Sequence, residues 1–217
     1  YLVGGRSDIG PNWNENQSWL ARFSKDDGTY LAADSVIIDN MVSIKVLTRV
    51  DDGEGLLIAG SQVGGYTNGV DPVQLFLTNN SGEVDWSVSW PEGDTPYFLQ
   101  PTHAHWVAQA DDGNYLVAGS QENQSFIAKT NGIEGVDDGE WTTYFPDPNQ
   151  SYNASYNLIM SGVKSIGGGY VMGAKISTTD EHYRYSDFNL IKVNNSGEEL
   201  WRWIPNDGVD EFKVEEP

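Results

Sequence analysis

Two histidines near the middle of the chain are the residues whose type and spacing best suit metal chemistry. His103 and His105 are two positions apart, and side chains at that spacing on a β-strand point to the same face of a sheet. With a nearby carboxylate such as Asp94, they would supply part of a zinc-type ligand set. A third ligand is not evident from the sequence. The alternative is that the pair only adds polarity to a strand beside Trp106.

Carboxylates offer a second kind of chemistry. Asp-Asp-Gly occurs at residues 26–28, 51–53, 111–113 and 137–139, and such carboxylates could hold a structural calcium ion between neighbouring loops. The sequence has no Asp-x-Asp-x-Asp-Gly loop, so hairpin geometry is the alternative explanation for the triplets. No other cofactor is expected.

Signatures of enzymatic activity are missing from the sequence. With 32 acidic residues, a carboxylate pair suited to glycoside hydrolysis is always available, so this composition identifies no catalytic residue. A nucleophile elbow, a phosphate-binding loop and a dinucleotide fingerprint are all absent. The sequence therefore disfavours an enzyme without excluding one.

Six Asn-x-Ser/Thr sequences are candidate N-glycosylation sites. All six are predicted to lie in turns or loops between apolar runs. Asn-Ser is also favourable turn chemistry, which is a full alternative for the two Asn-Asn-Ser-Gly copies and a poorer one for the pair within residues 149–155. The candidates are Asn16, Asn79, Asn123, Asn149, Asn153 and Asn194.

An internal repeat specifies the elements that must position these residues. A five-residue apolar phrase occurs four times without gaps, and the copies end 55, 59 and 55 residues apart. A repeat of this period marks an architecture of stacked units. The copies are Tyr1-Leu-Val-Gly-Gly5, Leu56-Leu-Ile-Ala-Gly60, Tyr115-Leu-Val-Ala-Gly119 and Tyr170-Val-Met-Gly-Ala174.

Each repeat is predicted to form four short strands joined by hairpins. An alternating apolar run and a glycine turn precede three of the phrases, and a third run, a second turn and a fourth run follow. Units of this kind are typical of β-propeller blades. We therefore predict an all-β, propeller-like single domain over residues 1–217, with repeats at about 1–50, 51–110, 111–166 and 167–217. A two-sheet sandwich and a β-solenoid are the alternatives.

Two further features concern how the repeats pack and close. Residues 207–214 resemble the strand that precedes a phrase, so the ends of the chain could pair and close a ring, and the chain could also be part of a larger ring. A tryptophan follows the second turn in three repeats, and we predict that Trp86, Trp141 and Trp201 pack between neighbouring blades.

The repeat consensus resembles a family of propeller-like repeats. Asp-Gly-Gly, Tyr and an aliphatic Ala-Gly phrase are followed by Phe-x-aliphatic-aliphatic-Lys and by Asn-Ser-Gly-x-x-x-Trp, over essentially the whole chain. The resemblance is to repeats of large secreted and cell-surface proteins of archaea and some bacteria. It implies a cell-surface architecture and brings no catalytic residues. Gly-x-x-x-Trp, at 82–86 and 197–201, also looks like the docking element of quinone-dependent propellers, whose other residues are missing here.

The charge balance limits the partners and the habitat. The net charge is −20, from 12 basic and 32 acidic residues, so a phosphate backbone is a poor partner and nucleic acid binding is not expected. The acidity fits either a salt-loving archaeon or an acidic extracellular protein, and the chain has no cysteine and no apolar run long enough to span a membrane. We expect an extracellular or cell-surface structural or adhesive module that binds another copy, a surface protein or a glycan. An enzyme that uses a propeller channel, either quinone-dependent or polysaccharide-cleaving, is the alternative.

Overall fold

A computed structural model describes residues 2–7, 17–32, 35–38, 41–50, 55–62, 73–79, 81, 83–90, 102–121, 124–130, 141–145, 156–179 and 184–204. All the regular elements in these ranges are strands apart from a single-residue 3₁₀ position at Ala32. The strands are β1 (Leu2–Ser7), β2 (Gln17–Arg22), β3 (Val36–Ile38), β4 (Met41–Arg49), β5 (Gly55–Gln62), β6 (Val73–Asn79), β7 (Val84–Trp90), β8 (Thr102–Gln109), β9 (Tyr115–Gln121), β10 (Gln124–Thr130), β11 (Trp141–Phe145), β12 (Tyr156–Lys164), β13 (Tyr170–Thr179), β14 (Arg184–Val193) and β15 (Glu199–Trp203).

The strands form four antiparallel meander sheets in chain order. Sheet I contains β1–β3, sheet II β4–β7, sheet III β8–β11 and sheet IV β12–β15, and within each sheet consecutive strands are hydrogen-bonded neighbours. The prediction of an all-β chain with one propeller-like sheet for each repeat is thereby confirmed. Sheet I differs from the others because its described residues form three strands and not four. The apolar phrase is the second strand of sheets II–IV and the first strand of sheet I, so the sheets are offset by one strand from the sequence repeats.

Glycine at a fixed turn position closes several hairpins. Between β8 and β9, the Ala110 amide donates to the Asn114 carbonyl at 2.7 Å, and Gly113 has a φ of 89°. The β14–β15 turn repeats this pattern, since Asn194 bonds Glu198 at 3.0 Å and Gly197 has a φ of 82°. A side chain is strained at such positive φ values, which is why glycine occupies these positions.

Three apolar clusters lie between successive sheets. The first contains Leu20 of sheet I with Leu56, Ile58 and Phe76 of sheet II. The second joins sheets II and III, and the third joins sheets III and IV. Alternate residues of each strand point to opposite faces, so each inner sheet contributes one side-chain set to the sheet before it and one to the sheet after it. The four sheets are therefore stacked face to face in the order I, II, III, IV.

The first strand of each of sheets II–IV packs against the first two strands of the preceding sheet. Strand β8 packs against β4 and β5, and β12 packs against β8 and β9, while β4 packs against β1 and β2. Within the described ranges, no strand of sheet IV makes an extended contact with a strand of sheet I. The predicted pairing of residues 207–214 with the start of the chain lies outside the described residues.

A β-bulge occurs at the same place in the first strand of three sheets. In sheet III, Ala104 pairs with Gly119 and Trp106 with Ala118, so His105 is the extra residue. The corresponding extra residues are Lys45 in sheet II and Met160 in sheet IV. A bulge re-aims side chains at a sheet edge, so these three residues mark one edge of the array.

Candidate functional sites

Two of the six candidate glycosylation sites lie in nearly identical turns. The Asn79 side-chain oxygen accepts bonds from the Ser81 and Glu83 amides at 2.8 and 3.0 Å, and its nitrogen donates to the Glu83 carboxylate at 2.7 Å. Asn194 makes the same set of contacts with Ser196 and Glu198 at 2.9, 2.9 and 2.7 Å. Turn structure therefore explains why asparagine occupies both positions. A glycan at either would replace one hydrogen of the side-chain nitrogen, which already donates to a glutamate carboxylate.

The other four candidate sites, Asn16, Asn123, Asn149 and Asn153, lie outside the described residues. For two of them the hydroxyl residue of the sequence is described: Ser18 lies in β2 and Ser125 in β10, and both are fully buried. Their hydroxyls are part of the sheet core and not part of a turn, which differs from the expectation that all six sequences fall in loops.

Trp141 lies between two sheets. It occupies the edge strand of sheet III and packs against the cluster shared with sheet IV. A Cβ atom placed on Gly197, in the β14–β15 turn of sheet IV, would lie 2.4 Å from Cε3 of the Trp141 ring. The Thr143 hydroxyl donates to the Gly197 carbonyl at 2.8 Å. The ring therefore lies directly on the glycine backbone, which only a residue without a side chain allows.

The other two tryptophans have the same register but different surroundings. Trp86 pairs with Leu77, Trp141 with Lys129 and Trp201 with Lys192. Leu77 packs against the cluster between sheets II and III, and the Trp86 side chain lies outside the described residues. Trp201 is half-buried on the face of sheet IV that points away from sheet III. Its predicted packing between blades would require a further sheet on that face.

The histidine pair lies on the first-strand edge of the array. The rings of His103 and His105 are 6.3 Å apart between centroids and tilted by 48°. Burial lowers the pKa of His105 below its ordinary 6.5, with smaller contributions from the positive charges of His103 and Lys45. The proposed third ligand, Asp94, lies outside the described residues, and the described ones contain no group of three or more residues suited to a metal ion.

Lysines engage the carboxylates of the described Asp-Asp-Gly triplet in sheet III. Asp112 accepts from the buried Lys129 amine and from the Asn114 amide, and Asp111 lies 3.3 Å from the Lys164 amine. Partial burial alone would raise the pKa of Asp112, but these hydrogen bonds and the Lys129 charge hold it below its ordinary value. This arrangement stabilises strand pairing and leaves the Asp112 carboxylate already neutralised, which argues against calcium at this triplet.

A mixed cationic and apolar cavity lies where sheet I meets sheet II. Its volume is about 680 Å³, and three basic side chains line it among leucine and phenylalanine walls. The lining residues are Leu2, Arg22, Phe23, Ser24, Lys25, Asp26, Leu31, Leu47, Arg49 and Leu56. A cavity of this kind could take a small amphipathic anion, but it brings no catalytic pair together.

The outer faces of the two end sheets expose apolar side chains, which sequence reasoning missed. On sheet I, Val3 and Ile37 are exposed beside Trp19, whose ring lies on Gly5. On sheet IV, Val163 and Phe188 are exposed on the face that also carries Trp201. The sequence predicted apolar strands in every repeat, but it did not show how the sheets stack. Only the order of the sheets shows which faces are left uncovered.

No protein-family model matches this chain, and no curated protein matches it. Among the described residues there is also no helix that is long and apolar enough to cross a membrane.

Proposed function

We propose that this chain is an extracellular or cell-surface structural or adhesive module, which holds another protein copy, a neighbouring surface protein or a glycan. The observation that carries the proposal is the pair of apolar outer faces on sheets I and IV. Exposed apolar surface of this kind marks interaction sites in soluble proteins. Half-buried aromatic residues such as Trp19 and Trp201, which lie on these faces, are favoured anchors for a partner.

The acidic composition and the six Asn-x-Ser/Thr sequences support the location. A net charge of −20 keeps a protein soluble in concentrated salt, and the sequences offer attachment points for glycans. The resemblance of the repeats to those of archaeal and bacterial surface proteins favours the same location. Turn structure already accounts for Asn79 and Asn194, so the sites near residues 149–155 carry most of the glycosylation proposal.

Among the described residues, no carboxylate supports the alternative of a channel enzyme. A general acid needs a carboxyl group with a raised pKa. Where shifts are resolved among the described carboxylates, at Asp27 and Asp112, hydrogen bonds lower the pKa, to about 2 for Asp27, chiefly through the Thr29 hydroxyl. Carboxylates of this kind are stabilised in their charged form and do not donate protons at neutral pH.

A combined mass and adhesion experiment tests the proposal. We expect the native protein to lose mass on glycan removal, with peptide mapping that places glycans on some of the six asparagines. We also expect beads coated with the chain to clump, or to bind beads coated with complex glycans, whereas beads coated with an unrelated acidic protein do neither. Bare asparagines together with beads that bind nothing would refute the proposal.

A further inference from the structure

The four copies of the apolar phrase have the same register but not the same burial. Its third residue is Val3 in sheet I, Ile58 in sheet II, Val117 in sheet III and Met172 in sheet IV. Each pairs with the corresponding residue of the next strand. The last three are covered by the preceding sheet and are 0, 1 and 0% exposed, whereas Val3 is 46% exposed. Sheet I therefore presents a surface that in every other sheet is an interface.

On sheet IV, the exposed face is the one that in sheets I–III is covered by the following sheet. Leu20, Leu75 and Ile127 occupy one register position in sheets I–III, and the following sheet covers each of them, leaving at most 1% exposed. The same position in sheet IV is Leu190, which is only partly buried. Its neighbours on that face, Phe188 and Val163, are 49% and 60% exposed. Sheet IV therefore presents the other half of the same kind of interface.

The described strands of sheets I and IV place no acidic residue on either of these faces. The chain has 32 acidic residues among its 217, yet the outward register positions of the described strands in sheets I and IV hold no aspartate or glutamate, bulge residues aside. Sheet IV instead places Lys175 and Lys192 there. A surface that only faced water in so acidic a protein would carry its share of carboxylates, so both faces have the composition of a contact surface.

We propose that the outer face of sheet IV in one copy packs on the outer face of sheet I in a second copy, so that the chain self-associates head to tail. The contact would continue the sheet-on-sheet packing that joins sheets I to IV within the chain. The interface is heterologous, because it joins two different faces, and such contacts build rings or filaments. The proposal rests on the proposed function and names its partner as another copy of this chain.

The net charge of the chain makes the proposed contact depend on salt concentration. Each copy carries a net charge of −20, so two copies repel each other at low ionic strength. At about 1 M salt the screening length falls to roughly 3 Å, and the apolar contact is then opposed only locally. Association should therefore be stronger at high salt than at low salt.

Light scattering on the full 217-residue chain in about 1 M KCl, with four proteins, tests the proposal. We expect the wild-type mass to rise with concentration above the 24.0 kDa of one chain. Val163→Glu blocks the face of sheet IV and Ile37→Glu the face of sheet I, and each alone should remain at the mass of one chain. Ile166→Glu, at a fully exposed position in the β12–β13 turn, is the matched control and should behave as the wild type does. Circular dichroism checks that all four are folded.

Mixing the two blocked variants gives the decisive result. Val163→Glu keeps an intact face on sheet I, and Ile37→Glu keeps an intact face on sheet IV. An equimolar mixture should therefore form a dimer of twice the single-chain mass and stop there. A wild type that stays monomeric at every concentration, a mixture that stays monomeric, or equal association by all four proteins would each overturn the proposal. If the chain stays monomeric while its beads still bind glycan-coated beads, the self-association fails and the proposed adhesive function stands.

Discussion

Gly197→Ala is the substitution that tests most directly how sheets III and IV are held together. Gly197 lies in the β14–β15 turn with a φ of 82°, and a Cβ there would lie 2.4 Å from the Trp141 ring of the preceding sheet. Alanine at this position is therefore strained twice: by its own backbone conformation and by a contact with a neighbouring sheet.

The two sources of strain each have a typical cost in free energy of unfolding. Placing a non-glycine residue at such a φ costs about 1–2 kcal/mol, and overpacking a well-filled contact costs roughly 1–3 kcal/mol. Gly197→Ala should therefore lower the free energy of unfolding by roughly 2–5 kcal/mol. Gly113→Ala is the matched control, because its φ is 89° and nothing lies within 4 Å of the added Cβ. It should cost only the backbone share, about 1–2 kcal/mol.

Urea denaturation at a fixed KCl concentration measures these free energies of unfolding. A double-mutant cycle with Trp141 then shows how much of the Gly197→Ala cost comes from the contact with the ring. Trp141→Ala alone should cost about 3–5 kcal/mol as a large core truncation, at the lower end because the side chain is only partly buried. In that background the ring is gone, so Gly197→Ala should cost no more than Gly113→Ala does. If Gly197→Ala costs as little as Gly113→Ala in the wild type, or if its cost is unchanged when Trp141 is removed, the ring-on-glycine contact does not join the sheets.

Three further outcomes are expected. Asp112→Asn should cost about 1–2 kcal/mol, since it leaves the buried Lys129 amine without its carboxylate, while Lys129→Met should cost less in the same urea assay. Because the pKa of Asp112 is lowered on folding, its contribution to stability is present above the unfolded value near 3.8 and is lost as the pH falls through the folded value. Acid unfolding monitored by fluorescence should therefore be less steep in Asp112→Asn than in the wild type. His105 should titrate below 6.5 in NMR experiments, and His103→Gln should raise its pKa; an unchanged value would mean that the two rings do not interact.

Much of the fold follows from local patterns in the sequence. Alternating apolar runs specify strands, and glycine four residues after the last strand residue specifies a tight hairpin. These features depend on neighbours in sequence, so they could be predicted at Ala110–Asn114 and at Asn194–Glu198 without any knowledge of tertiary contacts. The asparagine side chain that organises the second turn is also local, which is why turn chemistry was a sound alternative to glycosylation there.

The features that the sequence did not indicate depend on contacts between strands or sheets. The bulges at Lys45, His105 and Met160 place an extra residue in each first strand, and nothing in the residue types marks them. The pairing of Asp112 with Lys129 joins the turn before β9 to the strand after it. Periodicity shows that a face is apolar, but the partner of that face is decided by how the sheets stack.

The outer faces of sheets I and IV are apolar faces that no sheet of the same chain covers in the described residues. In stacked-repeat proteins a unit whose outer face no neighbour covers needs a polar face there, because an apolar one causes association. Here Val3 and Phe188 occupy positions that the internal sheets keep buried, and they remain apolar in a chain with 32 acidic residues. If these faces only contacted water, carboxylates could occupy their exposed positions at little cost to the fold, as carboxylates occupy exposed positions in the turns. That both faces are apolar, and that each matches one half of the internal interface, supports the proposal that one copy packs on another through them.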